Sequence, residues 1–196
     1  MTSKIKVNIL ADGADNSIIT SDGAGSFTAS SGLASSVQSV GGIQNTPAFY
    51  AYLSSNISDF TANQYNTIVF QTELMDTASC YDTSTGVFTP NVAGKYFCFA
   101  QAKMGNFGDG AGNKYMTLAF FWGGTSTQAG QTNIEANGET TVSVSNIINF
   151  NGTTDSLKVR GYQNDGAGTR FVVGGSGSGT GVGSYTYFGA YRIIGA

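Results

Sequence analysis

The sequence predicts an all-β fold, a jelly-roll sandwich of about eight to ten strands. Three observations point there. From Pro47 onward, short runs of β-branched and aromatic residues alternate with polar ones at a period of two. Between the runs lie "DGAGN", "GGTST", "ANGE", "NGTTD" and "NDGAGT", turn clusters whose Gly and Asn accept positive φ. Composition agrees: 28 Gly, 10 Tyr and 13 Phe among 196 residues, with only 11% charged, favour strands and turns over helices. A chain of this length buries enough surface for one core without disulfides.

Residues 1–45 differ from the rest. Ser, Gly, Ala and Asp dominate, Phe27 is the lone aromatic, and apolar residues come in scraps such as "KIKVNIL", "SIIT" and "GSFTA". Such a segment does not bury enough surface to fold alone, so it reads as a flexible tail or as an arm ordered by a partner. Lys4, Ile5, Lys6, Val7 and Ile9 are its candidate attachment residues, because their alternation permits strand addition to a neighbouring sheet. The head domain, residues 46–196, carries eight expected strands: 48–53, 67–74, 86–90, 95–104, 114–122, 140–150, 155–163 and 184–194. The stretches 105–113, 123–139 and 164–183 read as loops, the last running into the glycine-rich "GGSGSGTGVGS".

Several function classes are excluded. A net charge of −3 offers no basic surface for phosphates, so no nucleic acid is expected. No stretch approaches the roughly 20 apolar residues of a membrane span, and the start of the chain has no signal-like apolar run. The reading is of a chain assembled in a cytoplasm. With no histidine, His-based triads, His zinc sites and His general bases are absent. Cys80 and Cys98 have no activating base near them in sequence and read as free thiols, with a single bridge between neighbouring strands as the alternative. Asp76 with Asp82, or Glu135 with Glu139, are the only acid pairs to consider for hydrolytic chemistry, and sparse turn acids are their plainer reading. The chain is expected not to be an enzyme. Lys158, Arg160 and Arg192 read as solvated strand charges, while Arg170, beside Phe171 at a loop edge, is placed to meet a carboxylated glycan.

One segment is more specific. In "YDTSTGVFTPNVAGKYFCF", Tyr81 and Asp82 precede a turn ending at Gly86, Phe88 sits on a short strand, Pro90 leads to a turn at Gly94, and Tyr96, Phe97 and Phe99 open the next strand. The pattern resembles the signature of the complement C1q globular domain, within the tumour-necrosis-factor-like jelly rolls, with Pro90 one place early. "AFYAYLSS" resembles the family's first strand and "SYTYFGAYRII" its closing strand. The resemblance covers residues 47–196. It implies a homotrimer, with Tyr50, Tyr52, Tyr185, Tyr187, Phe188 and Tyr191 as interface positions. Phe88, Tyr96, Phe97 and Phe99 are the expected core. Some members bind calcium, and the repeated "DGAG" turns make Asp109 and Asp165 the candidate ligands. Plain turns without metal are the other reading, and no other cofactor is expected.

The opening "KIKVNIL" followed by "DGAGSFT" also resembles those of bacteriophage tail-fibre and other virion surface proteins. This implies a virion surface protein attached to other virion proteins through residues 1–45. A tail-fibre type would bind a host-surface receptor or glycan through the loops, and a capsid-decoration type would clamp the head. A soluble C1q-like recognition module is the remaining alternative.

Overall fold

The structure, a computed structural model, describes residues 8–24, 26–30, 45–58, 60–105, 114–134, 138–165, 171–175 and 185–194. The chain divides into two units, Met1–Gln44 and Asn45–Ala196.

In the first unit, β1 (Ile9–Ala11), β2 (Ser17–Ser21) and β3 (Phe27–Ala29) form an antiparallel meander. Its turns are built by the two acidic-glycine repeats. The Asp12 carboxylate accepts the N–H groups of Ala14 and Asn16 at 2.8 and 3.0 Å, and Asp22 accepts those of Ala24 and Ser26 at 2.7 and 3.0 Å. Ile9, Leu10 and Phe27 are exposed, and no described residue of this unit is buried. So small a sheet without a covered face lacks a core of its own. Lys4, Ile5, Lys6 and Val7 lie outside the described residues.

The second unit is a sandwich of two sheets. Sheet I orders β12 (Thr140–Phe150), β9 (Gly94–Gly105), β15 (Tyr187–Arg192), β4 (Ala48–Tyr52) and β6 (Thr72–Asp76), with β14 (Phe171–Val172) also on β9. Sheet II orders β11 (Thr125–Asn133), β10 (Tyr115–Trp122), β13 (Leu157–Gln163), β8 (Val87–Phe88) and β7 (Tyr81–Asp82), with β5 (Asn66–Thr67) on β13. Every pairing is antiparallel.

Period-two alternation decides what is inside. Along β9, Tyr96, Cys98, Ala100, Ala102 and Met104 are buried, while Phe97 and Phe99 point the other way and stay half-exposed. This corrects the expectation that all four early aromatics are core: Phe88 and Tyr96 are, but Phe97 and Phe99 are one residue out of phase with them. The same rule corrects Phe188. It is fully buried, with ring centroids 4.8, 5.7 and 6.1 Å from Phe49, Phe70 and Phe120, and so joins the inner faces of both sheets instead of facing a neighbour. Burying such a ring is worth about 1.5–3 kcal/mol.

Two further expectations change. Residues 67–74 are not one strand. Thr67 belongs to β5 on sheet II, the Ile68 N–H donates to the Val159 carbonyl at 3.0 Å, and the Phe70 N–H donates to the Tyr81 hydroxyl at 3.0 Å. The run then crosses to sheet I as β6, so one apolar segment serves both sheets, as at the corners of sandwiches. The stretch 123–139 is not all loop either. Residues 125–133 are β11, the outer strand of sheet II, where Gly130 passes so close to β12 that a Cβ would lie 2.3 Å from the Ser143 carbonyl oxygen.

Candidate functional site

The most organised surface is the outward face of sheet I. Residues out of phase with the core line it: Tyr50 on β4, Phe97 and Phe99 on β9, Tyr187 and Tyr191 on β15. They form a continuous row. Tyr50 stacks on Tyr187 at 5.6 Å, Tyr187 meets Phe99 at 6.3 Å, Phe99 stacks on Phe97 at 5.8 Å, and Phe97 meets Tyr191 at 5.6 Å. Gly189 makes the row possible, because a Cβ there would sit 2.5 Å from the Phe99 ring. Beside the row lies a shallow depression of about 170 Å³ lined by Phe99, Ala100, Ser143, Val144, Ser145 and Tyr187. Leu74 and Met75 on β6 and Ile147 on β12 add exposed apolar surface at the sheet's margins.

The polar groups border the rings. Gln101 accepts from the Ser143 hydroxyl at 3.1 Å and donates to the Tyr185 carbonyl at 3.0 Å. Lys103 pairs with Glu139 and lies 4.1 Å from the centre of the Tyr185 ring. Burial, and then the neighbouring Tyr187, push the Tyr50 phenol above its usual value.

Of the six expected interface residues, the structure places Tyr50, Tyr187 and Tyr191 in this row, Tyr52 half-buried on β4 and Tyr185 exposed just before β15, while Phe188 is core. Phe97 and Phe99 join the face although they were expected inside. The parity of "KYFCFAQ" carried that signal, since Cys98 and Ala100 share the phase of Tyr96.

The chemical candidates dissolve into structure. Asp76 accepts the N–H groups of Ala78, Cys80 and Tyr81 at 3.1, 3.0 and 2.9 Å. Asp82 is held to about 2 by the hydroxyls of Ser84 and Thr85 and the Ser84 N–H. Both carboxylates build turns. Asp165 is buried and paired with the Lys114 ammonium at 2.8 Å, so its carboxylate already has a charge partner from the chain itself. Asp109, Glu135 and Arg170 lie outside the described residues. Among the described residues no cluster of three or more metal-ligating side chains occurs. Cys80 and Cys98 are free and buried, and burial pushes both thiols far up, with the Asp76 carboxylate adding to the effect at Cys80.

No protein-family model matches the chain, and no curated protein matches its sequence. Solved structures do. The globular domain of zebrafish complement 1qA protein aligns with a TM-score of 0.52 and 18% identity, over 75% of this chain and 96% of that one. Eiger TNF from S. frugiperda gives 0.54 and 11%, over 76% and 93%. Murine APRIL at pH 5.0 gives 0.50 and 9%, over 74% and 98%. The second unit is therefore a C1q/TNF-like jelly roll.

Proposed function

We propose that this chain is a non-enzymatic recognition knob that works as a homotrimer, held on a bacteriophage virion surface through residues 1–45 and meeting a host-surface ligand with its head domain. The observation that carries the reading is the uncharged five-ring row on sheet I, continued by Leu74, Met75 and Ile147. A monomer gains nothing from holding such a surface in water. Tyr- and Phe-rich faces depleted in charge suit subunit contacts. The likeness to C1q and TNF folds supports a binding rather than a catalytic role, as does the use of Asp76, Asp82 and Asp165 in turns and an ion pair. The virion part rests on the opening "KIKVNIL" and "DGAGSFT" and on a first unit without a buried residue among those described.

Two experiments test it. Sedimentation equilibrium of the full chain should give three times the monomer mass, and a monomer at concentrations up to about 100 μM would sink the trimer. Deleting residues 2–45 should abolish incorporation into particles, and normal incorporation would remove the virion reading.

A further inference from the structure

Sheet II turns a second row of rings away from the core, and this one carries cations. Alternation along β10 buries Met116, Leu118 and Phe120 and leaves Tyr115 and Phe121 on the outer face. Along β13 it buries Leu157 and Val159 and leaves Lys158, Arg160 and Tyr162 outside. Tyr65, just before β5, bridges the two strands' aromatics. Successive ring centroids lie 5.7 Å apart for Tyr115 and Tyr162, 5.4 Å for Tyr162 and Tyr65, and 5.0 Å for Tyr65 and Phe121. The Arg160 guanidinium lies 4.6 Å from the centre of the Phe121 ring.

The charge of this row calls for an anion. Neither Lys158 nor Arg160 has an ion-pair partner among the described residues, although the chain as a whole is acidic. The Arg160 Nε is shut off from solvent with no hydrogen-bond acceptor, as is that of Arg192, so a ligand would meet Arg160 through its terminal N–H groups. A guanidinium stacked on a ring is fixed in orientation and keeps terminal N–H groups for a planar carboxylate. The rings specify the rest of the ligand. Three phenols present apolar bodies with hydroxyl tips, which suits a pyranose whose C–H surface packs on rings while its hydroxyls bond to phenols. Two cations are too few for a nucleic acid, whose binders make about 6–10 phosphate contacts.

We propose that the outer face of sheet II is a platform for an acidic saccharide, a chain of pyranoses bearing carboxylates. Arg160 takes a carboxylate, and Tyr65, Tyr115 and Tyr162 take the sugar rings. The proposal rests on the recognition reading above and names the face that performs it. It does not depend on the trimer, because the row lies on the other sheet.

The full chain is titrated calorimetrically with oligogalacturonate, with a sialylated oligosaccharide, and with the neutral methyl ester of the first. At least one acidic saccharide should bind with a Kd of about 1 mM or tighter. The ester should bind about tenfold more weakly or worse, and Arg160→Gln and Tyr65→Ala should each weaken binding about tenfold without moving the thermal midpoint. Molar mass is read on the same samples, so a failed trimer and a failed platform are told apart. No binding by either acidic saccharide, equal binding of acid and ester, or unchanged binding by both variants would overturn the proposal. So would Arg160-dependent capture of a host-surface protein stripped of its glycans, which would replace the saccharide with a protein partner.

Discussion

The two outward faces of the sandwich are both rows of rings mounted on a β-sheet, and they differ in what stands beside the rings. On sheet I the neighbours of Phe99 and Tyr187 are Ala100, Ser143, Val144 and Ser145, and of the two lysines on the outward face of β9, Lys103 is neutralised by Glu139 while Lys95 lies past the Phe97 end of the row. On sheet II Arg160 lies on Phe121 with no carboxylate among the described residues to meet it. An uncharged row loses little when another apolar surface excludes its water. A row with an unmatched cation is costly to bury unless the partner brings the opposite charge. Five rings on one face and four on the other would therefore serve different ends under the proposals above: contact with a copy of the same chain on sheet I, exchangeable contact with an anionic ligand on sheet II.

The largest effect should come from the layer between the faces. Phe188→Ala removes the ring that ties Phe49, Phe70 and Phe120 together and should cost about 3–5 kcal/mol in urea unfolding, erasing both faces at once. Phe99→Asp places a charge in the sheet I row and should weaken subunit association by about 2–4 kcal/mol by sedimentation, with saccharide binding retained. Gly189→Ala sets a methyl group against the Phe99 ring and should cost about 1–3 kcal/mol through its displacement.

Acid should act at the margin of sheet I. Burial alone would raise Asp76, but the N–H groups of Tyr81, Cys80 and Ala78 outweigh it and hold the carboxyl below its usual 3.8. Its contribution is thus complete above that value and lost as pH falls through the lower, folded one. The acid-unfolding curve of Asp76→Asn should be flatter than wild type below about pH 4. Smallest of all, Tyr65→Ala on sheet II should change stability by no more than about 0.5 kcal/mol and leave the molar mass unchanged.

Much of this was legible in the sequence where burial is one-sided. Residues 95–104 and 140–150 alternate cleanly because one face of each strand meets the core, and both were readable as strands. β11 was not, since "TSTQAGQTN" is exposed along nearly its whole length and carries no apolar phase to detect. Residues 67–74 hid their break because Ile68 and Phe70, bonded to Val159 and Tyr81 of sheet II, are buried ahead of the change of sheet, where apolarity persists although strand pairing does not. The phase error at Phe97, Phe99 and Phe188 has a single cause. Both faces of sheet I are aromatic, so ring identity alone does not tell inside from outside, whereas the small residues Cys98, Ala100 and Ala190 do. The sheet II row escaped notice because Tyr65 reaches it from outside the strands that carry the other rings.

Hydroxyl-radical footprinting of the intact protein, read residue by residue by mass spectrometry, tests the contrast between the faces most directly. In the single chain Tyr191 on sheet I and Tyr65 on sheet II are equally accessible, 38% and 39% exposed. If sheet I is the subunit contact, Tyr191, together with Tyr50 and Tyr187, is protected while Tyr65 is oxidised freely. Equal oxidation of Tyr191 and Tyr65 would contradict the account.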